Sequence, residues 1–225
     1  MKPVVAIDGP SGSGKSTVAR MLSEKLGYLH LDTGAMYRAV ALAATNRGIP
    51  FGDGPALSRM CGEIHIELNQ EPRGIRVLLD GEDVTEKIRL PEMSMGSSAV
   101  SAVPEVRAHM VRLQREIGDK GGVVAEGRDM GTVVFPRSKA KFFLDASPRV
   151  RARRRWLELQ ARGHRVEFRN VLEEMVKRDL CDSSRGNSPL KKADDAVLVD
   201  TTDKAVEEVV RILYDRVLEL ERLHD

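Results

Sequence analysis

The sequence predicts an α/β fold in which a five-stranded parallel sheet is flanked by helices. Five short runs of apolar, often β-branched residues are interleaved with segments whose apolar residues recur at helical spacing. The first run leads into GPSGSGKST at residues 9–17, a glycine-rich turn of the kind that joins a strand to a helix. A third observation, the segment over 63–84, predicts a small antiparallel sheet inserted into this core.

The five predicted strands are short, and the first is apolar on both faces, which is typical of a buried parallel strand. Each is followed by a segment with helical spacing, so we expect a helix after every strand. The predicted strands cover residues 4–7, 28–31, 122–127, 140–146 and 196–202.

Three of the helices have recognisable ends or faces. The first follows Lys15 and ends at Gly27, a residue suited to a helix C-cap. The second runs from Ala35 to Asn46, and the last covers about 204–223, with one apolar stripe.

The inserted segment has a different pattern. Residues 63–68 alternate polar and apolar side chains, as a half-exposed strand does, and residues 75–84 contain the tight-turn pair Asp80-Gly81. Pro104 then suits the first turn of a helix with an apolar stripe. That stripe comprises Val106, Met110, Leu113 and Ile117.

Composition limits the classes of function. The chain has 225 residues, of which 41% are hydrophobic, enough for one domain with a core. Its 36 basic residues nearly balance 34 acidic ones, and aromatic residues make up only 4%. This balance argues against a nucleic-acid partner, because such proteins usually carry a large basic excess or aromatic stacking surfaces.

The distribution of cysteines and apolar residues predicts a cytoplasmic protein with no membrane partner. Cys61 and Cys181 lie far apart without a CxxC spacing, which fits a reducing compartment. The apolar run near the N-terminus is too short for the core of a signal peptide. No run approaches the ~18 apolar residues of a membrane-spanning helix.

The glycine-rich turn matches the phosphate-loop pattern GxxxxGK[ST] through Gly9, Gly14, Lys15 and Ser16. Glycines allow several backbone N–H groups to face one anion, and the following helix N-terminus adds partial positive charge. A lysine at this position reaches the β- and γ-phosphates, and the serine hydroxyl holds magnesium. The alternative, a flexible turn, fits poorly because the flanking strand and helix are both present.

Polar residues cluster after two other predicted strands, where open α/β sheets place their ligands. In LDTGAMYR (31–38), Arg38 could bind a second phosphate, whereas Asp32 or Thr33 could simply cap a helix. In AEGRDMGT (125–132), Glu126 could hold magnesium through water and Arg128 could meet a phosphate; the alternative is a charged turn.

Two further charged segments have ordinary explanations. Arg178, Asp182 and Arg185 share one face if the helix near Asn170 persists, and an ion pair between residues four apart would explain them. The run RVRARRRW (149–156) is usually a solvated helix face. In a phosphoryl-transfer enzyme it could be a mobile lid that neutralises developing charge.

The motifs together resemble the bacterial-type cytidylate kinases from about residue 4 to about residue 214. They occur in the family's order: DGPSGSGKST, LDTGAMYRA, LDGEDVTEKIR, AEGRDMGTVVFP and KFFLDAS. The resemblance implies a P-loop NTPase-type core, an enlarged lobe for the nucleoside monophosphate (NMP), and a short lid. It implies one domain over 1–225, with the core at about 1–34, 119–148 and 166–225, the NMP lobe at about 35–118 and the lid at about 149–165.

The resemblance also implies the reaction, ATP plus CMP or dCMP giving ADP plus CDP or dCDP, with Mg²⁺. The ATP site would comprise Gly9, Pro10, Ser11, Gly12, Ser13, Gly14, Lys15, Ser16 and Thr17. The CMP site would comprise Thr33, Tyr37, Arg38, Ser98, Arg107, Arg128, Asp129, Arg178, Asp182 and Arg185. The catalytic residues would be Lys15, Arg128, Arg154 and Arg185. Ser16 would hold the metal, with Glu126 acting through water.

Within the CMP site, Ser98, Arg107 and Asp129 would read the cytosine edge, whose N4 donor and N3 and O2 acceptors suit such groups. Thr33 stands where the family often has serine. We expect a monomer. Two rivals remain at this point: another small-molecule kinase, such as a shikimate or thymidylate kinase, and a nucleotide-dependent switch or RNA-binding module that uses the arginine run.

Overall fold

The central sheet is parallel and five-stranded in the computed structural model, which describes residues 2–71 and 74–222. Its strands lie in the order β2-β6-β1-β7-β8, so the first strand is in the middle. Their bounds are Val4–Asp8 (β1), Leu29–Asp32 (β2), Val123–Gly127 (β6), Ala140–Asp145 (β7) and Val197–Asp200 (β8). All five predicted strands are therefore confirmed, each within a few residues of the predicted range.

Helices cover both faces of this sheet, because β1 is apolar on both sides. Val5 and Ile7 pack with α1 and α8, whereas Ala6 joins the core formed with α2. The bounds of the helices are Lys15–Leu26 (α1), Thr33–Asn46 (α2), Gly54–Glu63 (α3), Pro91–Ser101 (α4), Pro104–Gly118 (α5), Pro148–Ala161 (α6), Phe168–Ser184 (α7) and Val206–Arg222 (α8). Residue 223 of the predicted last helix lies outside the described residues. None of the described helices is long and apolar enough to cross a bilayer.

The predicted antiparallel insert is present as a three-stranded sheet in the order β3-β4-β5. These strands span Ile66–Glu71 (β3), Gly74–Leu79 (β4) and Glu82–Asp83 (β5). Asp80 and Gly81 both have positive φ, 52° and 83°, which produces the two-residue turn between β4 and β5. The insert lies between α3 and α4, so it belongs to the segment predicted as the NMP lobe.

One predicted helix is missing. A single wide helical turn, Met130–Val134, follows β6, and the chain then enters β7 directly. Because β6 and β7 are both parallel to β1, this connection returns the length of the sheet, and residues 128–139 do so with one wide helical turn and otherwise irregular chain. The prediction of a helix after every strand was wrong at this position, which leaves Arg128 and Asp129 on a short turn.

The long helices that follow β7 also differ slightly from expectation. Helix α6 occupies most of the predicted lid segment. Helix α7 ends at Ser184, so Arg185 is its C-cap residue instead of part of its last turn.

We expect Gly9→Ala to destabilise the protein by about 3 kcal/mol. Gly9 has φ 149°, and a Cβ atom there would lie 2.0 Å from the backbone oxygen of Leu144. Urea denaturation measures the free energy of unfolding. The control is Gly62→Ala in α3, where a Cβ meets nothing within 4 Å; that variant should gain up to about 1 kcal/mol. Equal stability of the two variants would contradict this packing.

Candidate active site

A cavity of about 820 Å³ opens at the carboxyl ends of the sheet strands. It is lined by the loop before α1, the starts of α2 and of the turn after β6, one face of α4, and parts of α6 and α7. Twelve lysine and arginine side chains line it, against five aspartates and glutamates. Since the whole chain has a net charge of only +2, the positive charge is concentrated in this cavity. Such a cavity attracts polyanions.

The glycine-rich loop forms the deepest part of the cavity. Gly12 and Gly14 have φ of 73° and 91°, which lets the backbone turn sharply before α1 begins at Lys15. The Lys15 ammonium donates to the backbone oxygen of Pro10 at 2.7 Å. Burial lowers the pKa of Lys15 to about 7, and the positive charge of Arg128 adds to this effect. A negative charge bound in the loop would therefore favour the protonated form of Lys15 and raise its pKa again.

Residues behind the loop hold it in place. The Arg151 guanidinium donates to the Ser11 backbone oxygen at 3.1 Å and pairs with Asp179 at 2.5 Å. The Thr201 hydroxyl donates to the Ser13 backbone oxygen at 3.0 Å. Gly9 and Pro10 do not line the cavity, although they were predicted as part of the ATP site. The remaining seven residues of the predicted ATP site do line it.

Two oxygen-bearing side chains meet beside the loop. The Ser16 hydroxyl donates to Glu126 Oε2 at 2.7 Å, and His30 Nε2 lies 3.0 Å from Glu126 Oε1. Burial lowers the pKa of His30, but the hydrogen bond and the charge of Glu126 outweigh it, so the pKa is raised overall. A hydroxyl and a carboxylate are hard oxygen donors, and Mg²⁺ usually takes only one or two from a protein, with phosphate and water supplying the rest. The residues present therefore fit the predicted metal.

The start of α2 shows that Asp32 acts as a cap and also lies beside the cavity. Asp32 Oδ1 accepts from the Ala35 backbone N–H at 2.8 Å, and its Oδ2 lies 3.2 Å from Arg38. The interpretation of Asp32 as a helix cap is confirmed, and the binding of a phosphate by Arg38 stays a prediction. Thr33 lines the cavity, but its hydroxyl donates to the Glu126 backbone oxygen at 2.6 Å, so towards a ligand it can only accept.

Asp182 is surrounded by three guanidinium groups. Its carboxylate is 2.9 Å from Arg128, 3.0 Å from Arg185 and 4.0 Å from Arg178, and it accepts from the Ser98 hydroxyl at 3.1 Å. Burial alone would raise the pKa of Asp182, but the three arginines hold it below its usual value. Burial also lowers the pKa of Arg178 to about 10. The ion pair between residues four apart therefore exists, but as part of a larger cluster.

A second ion pair lies further along the cavity. The Arg107 guanidinium is paired with the Asp129 carboxylate, and both side chains are buried. Arg107 also donates to the Ser101 backbone oxygen at 3.2 Å and lies 5.7 Å from the centroid of the Tyr37 ring. The hydroxyl of Tyr37 and Nε of Arg107 are buried without a hydrogen-bond partner among the described residues. Buried donors of this kind are available to a polar ligand.

The arginine run does not form one continuous surface. Arg153 is exposed, whereas Arg151 is buried behind the phosphate loop. Arg154 donates to the backbone oxygen of Thr201 at 2.5 Å, and Arg155 pairs with Glu158 at 2.9 Å; both arginines line the cavity. The run is thus neither a purely solvated face nor an exposed basic stripe.

The comparison with known families agrees with this geometry. A family model described as cytidylate kinase matches residues 5–219. The chain belongs to the cytidylate kinase family. It is 51% identical to a cytidylate kinase of Pelotomaculum thermopropionicum over 96% of each chain, and 48% identical to one of Syntrophotalea carbinolica over 99% of this chain and 94% of the other. It also resembles a solved structure of an uncharacterized protein from Eubacterium ventriosum (TM-score 0.51, 13% identity, covering 97% and 99% of the two chains), which shows a shared fold alone.

All ten residues predicted for the CMP site of this cytidylate kinase family member line the one cavity. The structure adds residues that sequence reasoning missed, chiefly His30, Ser101, Arg151 and Thr201. Ser101 accepts from Arg185 at 2.9 Å and, through its backbone oxygen, from Arg107. Among these four residues, His30 had a signal in the sequence, because it is a polar residue within an otherwise apolar strand.

We expect Asp182→Asn to cost about 3 kcal/mol, because three partly buried guanidinium groups would lose the counter-charge of a buried carboxylate. Because the pKa of Asp182 is lowered, its stabilising contribution is present above the ordinary aspartate pKa of 3.8 and is lost as the pH falls below it. Urea denaturation at pH 7 and at pH 3 measures both effects. The exposed pair Arg169–Glu173 supplies the control, since Glu173→Gln should cost less than about 0.5 kcal/mol. Equal losses in the two variants would contradict the cluster's role.

Proposed function

We propose that this chain transfers the γ-phosphoryl group of ATP to CMP or dCMP, giving ADP and CDP or dCDP, with Mg²⁺ as cofactor. The observation that carries the proposal is that the phosphate loop and the Asp182 cluster face one cavity. Membership of the cytidylate kinase family supports CMP as the acceptor. A phosphate loop alone would support only nucleotide binding.

The charge of the cavity supports the binding of two nucleotides at once. Basic side chains lining it exceed acidic ones by seven. A nucleoside monophosphate supplies up to about two negative charges, and a triphosphate supplies more. A donor and an acceptor together would offset more of this excess than either nucleotide alone, and a bound Mg²⁺ would return about two positive charges.

The residues divide into a donor side and an acceptor side. Lys15 and the loop N–H groups would hold the β- and γ-phosphates, with Ser16 and Glu126 holding the magnesium ion, which supplies charge neutralisation when bound. Arg128 and Arg185 would hold the CMP phosphate. Arg154 reaches the loop from α6 and would neutralise charge on the transferring group.

In this proposal Asp182 changes partners when CMP binds, from the arginines to the CMP sugar. In the nucleotide-free structure it neutralises Arg128, Arg178 and Arg185. A CMP phosphate would take over these arginines, which frees the carboxylate to accept from the sugar hydroxyls. The guanidinium groups therefore need little reorganisation at binding, which is the main requirement for electrostatic catalysis.

No general base is needed in this reaction. The attacking group is a phosphate oxygen of CMP, which is already anionic near neutral pH. The protein's contribution is to align the two phosphates, neutralise the moving charge and exclude water.

We propose that the enzyme acts as a cytoplasmic monomer without a nucleic-acid partner. Cys61 is a buried free thiol and Cys181 an exposed one, and a reducing compartment would keep both as thiols. The side chains that line the cavity carry a basic excess of seven although the whole chain has a net charge of only +2, so the rest of the chain has a net acidic excess, which disfavours a nucleic-acid partner.

We expect Lys15→Ala to lower kcat for CDP formation by at least about 100-fold, because the buried ammonium is the group nearest the transferring phosphate. The assay follows ADP release with ATP, Mg²⁺ and CMP. Lys25→Ala, an exposed lysine on the same helix, is the matched control and should retain wild-type turnover. Near-normal CDP formation by Lys15→Ala would contradict the assignment of the loop.

Arg107→Met should lower kcat/KM for CMP about 100-fold, because it removes a buried donor and leaves Asp129 unpaired. The KM for ATP should change less than about twofold, since Arg107 is on the acceptor side. Arg112→Met, on the exposed face of the same helix, is the control. Equal losses for both substrates would contradict a base-reading role for Arg107.

A further inference from the structure

Asp8 is a buried carboxylate that the proposed chemistry does not use. It is the last residue of β1, next to the phosphate loop, and only 3% of it is exposed. Its Oδ1 accepts from the Met130 backbone N–H at 2.8 Å, and its Oδ2 accepts from the Gly131 N–H at 2.7 Å. One side chain therefore joins the strand that carries the loop to the turn after β6.

That turn carries acceptor-site residues. Arg128 and Asp129 immediately precede the two amides, and their side chains pair with Asp182 and Arg107 respectively. The turn makes one wide helical turn, and Arg115 holds its far end by donating to the backbone oxygens of Val133 and Val134. Asp8 holds its near end, beside the residues that face the cavity, against the strand that carries the phosphate loop.

The fit around this contact is tight. A Cβ atom on Gly131 would lie 3.3 Å from Asp8 Oδ2 and 3.3 Å from Cδ of Lys141. A side chain at this position would therefore require Asp8, Lys141 or the turn itself to shift by a few tenths of an ångström. Gly131 allows both amides to approach the carboxylate directly.

Burial and hydrogen bonding act on Asp8 in opposite directions. Burial raises the pKa of Asp8 to about 6, whereas the N–H groups of Gly131 and Met130 lower it. The two amides therefore stabilise the ionised carboxylate that joins β1 to the turn.

We propose that Asp8 is a positioning residue that fixes Arg128 and Asp129 relative to the phosphate loop and thereby sets the affinity for the acceptor nucleotide. The inference rests on the proposed function, because it concerns the acceptor side of the same cavity. Asp8 acts through the two backbone amides and does not touch either substrate. A displacement of about 1 Å in this turn is enough to weaken acceptor binding severely.

Two variants test this from opposite sides of the contact. Asp8→Asn replaces one acceptor oxygen with a donor that faces an N–H group. Gly131→Ala keeps the Asp8 charge, and hence its effect on Lys15, but crowds the contact between the carboxylate and the turn. Both should raise the KM for CMP about tenfold, and in Gly131→Ala the KM for ATP should stay within about twofold of wild type. Amide hydrogen exchange at 130 and 131 should accelerate in both.

Ser138→Ala is the matched control, because the Ser138 hydroxyl donates to the Val4 backbone oxygen at the far end of the same strand, 2.6 Å away. It should lower the thermal midpoint without changing either KM. If Asp8→Asn does not fold, Gly131→Ala alone decides. Unchanged KM for CMP in a folded Gly131→Ala variant, or equal rises in both KM values, would overturn the positioning role. Failure of the proposed function would be seen separately, as absence of CDP formation by the wild-type protein.

Discussion

The organisation of this protein depends on holding many positively charged side chains together at one edge of a parallel sheet. Guanidinium and ammonium groups are expensive to bury, and the cavity contains too few carboxylates to neutralise them. Asp182 and Glu126 offset part of this cost locally, and the lowered pKa of Lys15 shows how incomplete the compensation is. Phosphate groups are the natural counter-charge, so the affinity for nucleotides follows from how the empty site is built.

The fold places these charges through the ends of its strands. Parallel strands deliver their carboxyl ends to one edge of the sheet, where β1 leads into the phosphate loop and β6 into the turn that carries Arg128 and Asp129. Helices α4 and α7 supply the acceptor side, and α6 supplies Arg154. The buried contact between Asp8 and the turn after β6 joins the two sides, as does the hydrogen bond from Ser16 to Glu126.

Local patterns predicted the parts of the structure that depend on neighbouring residues. The glycine spacing around Lys15 and the apolar strands are of this kind, as is the turn at Asp80-Gly81, and all appear in the structure.

Features that depend on contacts between residues far apart in the chain were missed. The helix expected after β6 is replaced by one wide helical turn, which the apolar pattern of the segment did not distinguish from a helix. The charges around Asp182 resembled an ordinary helical ion pair, since Arg128 and Ser98 approach it from far along the chain. Arg151 looked like the solvated arginines beside it, although it is buried behind the loop.

We expect the one cavity to align a donor triphosphate with a cytidine monophosphate. The most direct measurement uses ATP labelled with ³²P at the γ-position, together with Mg²⁺ and CMP, and follows the label by chromatography. The account predicts that the label appears in CDP in the same amount as the ADP formed. Label recovered only as inorganic phosphate, or retained in ATP, would contradict it.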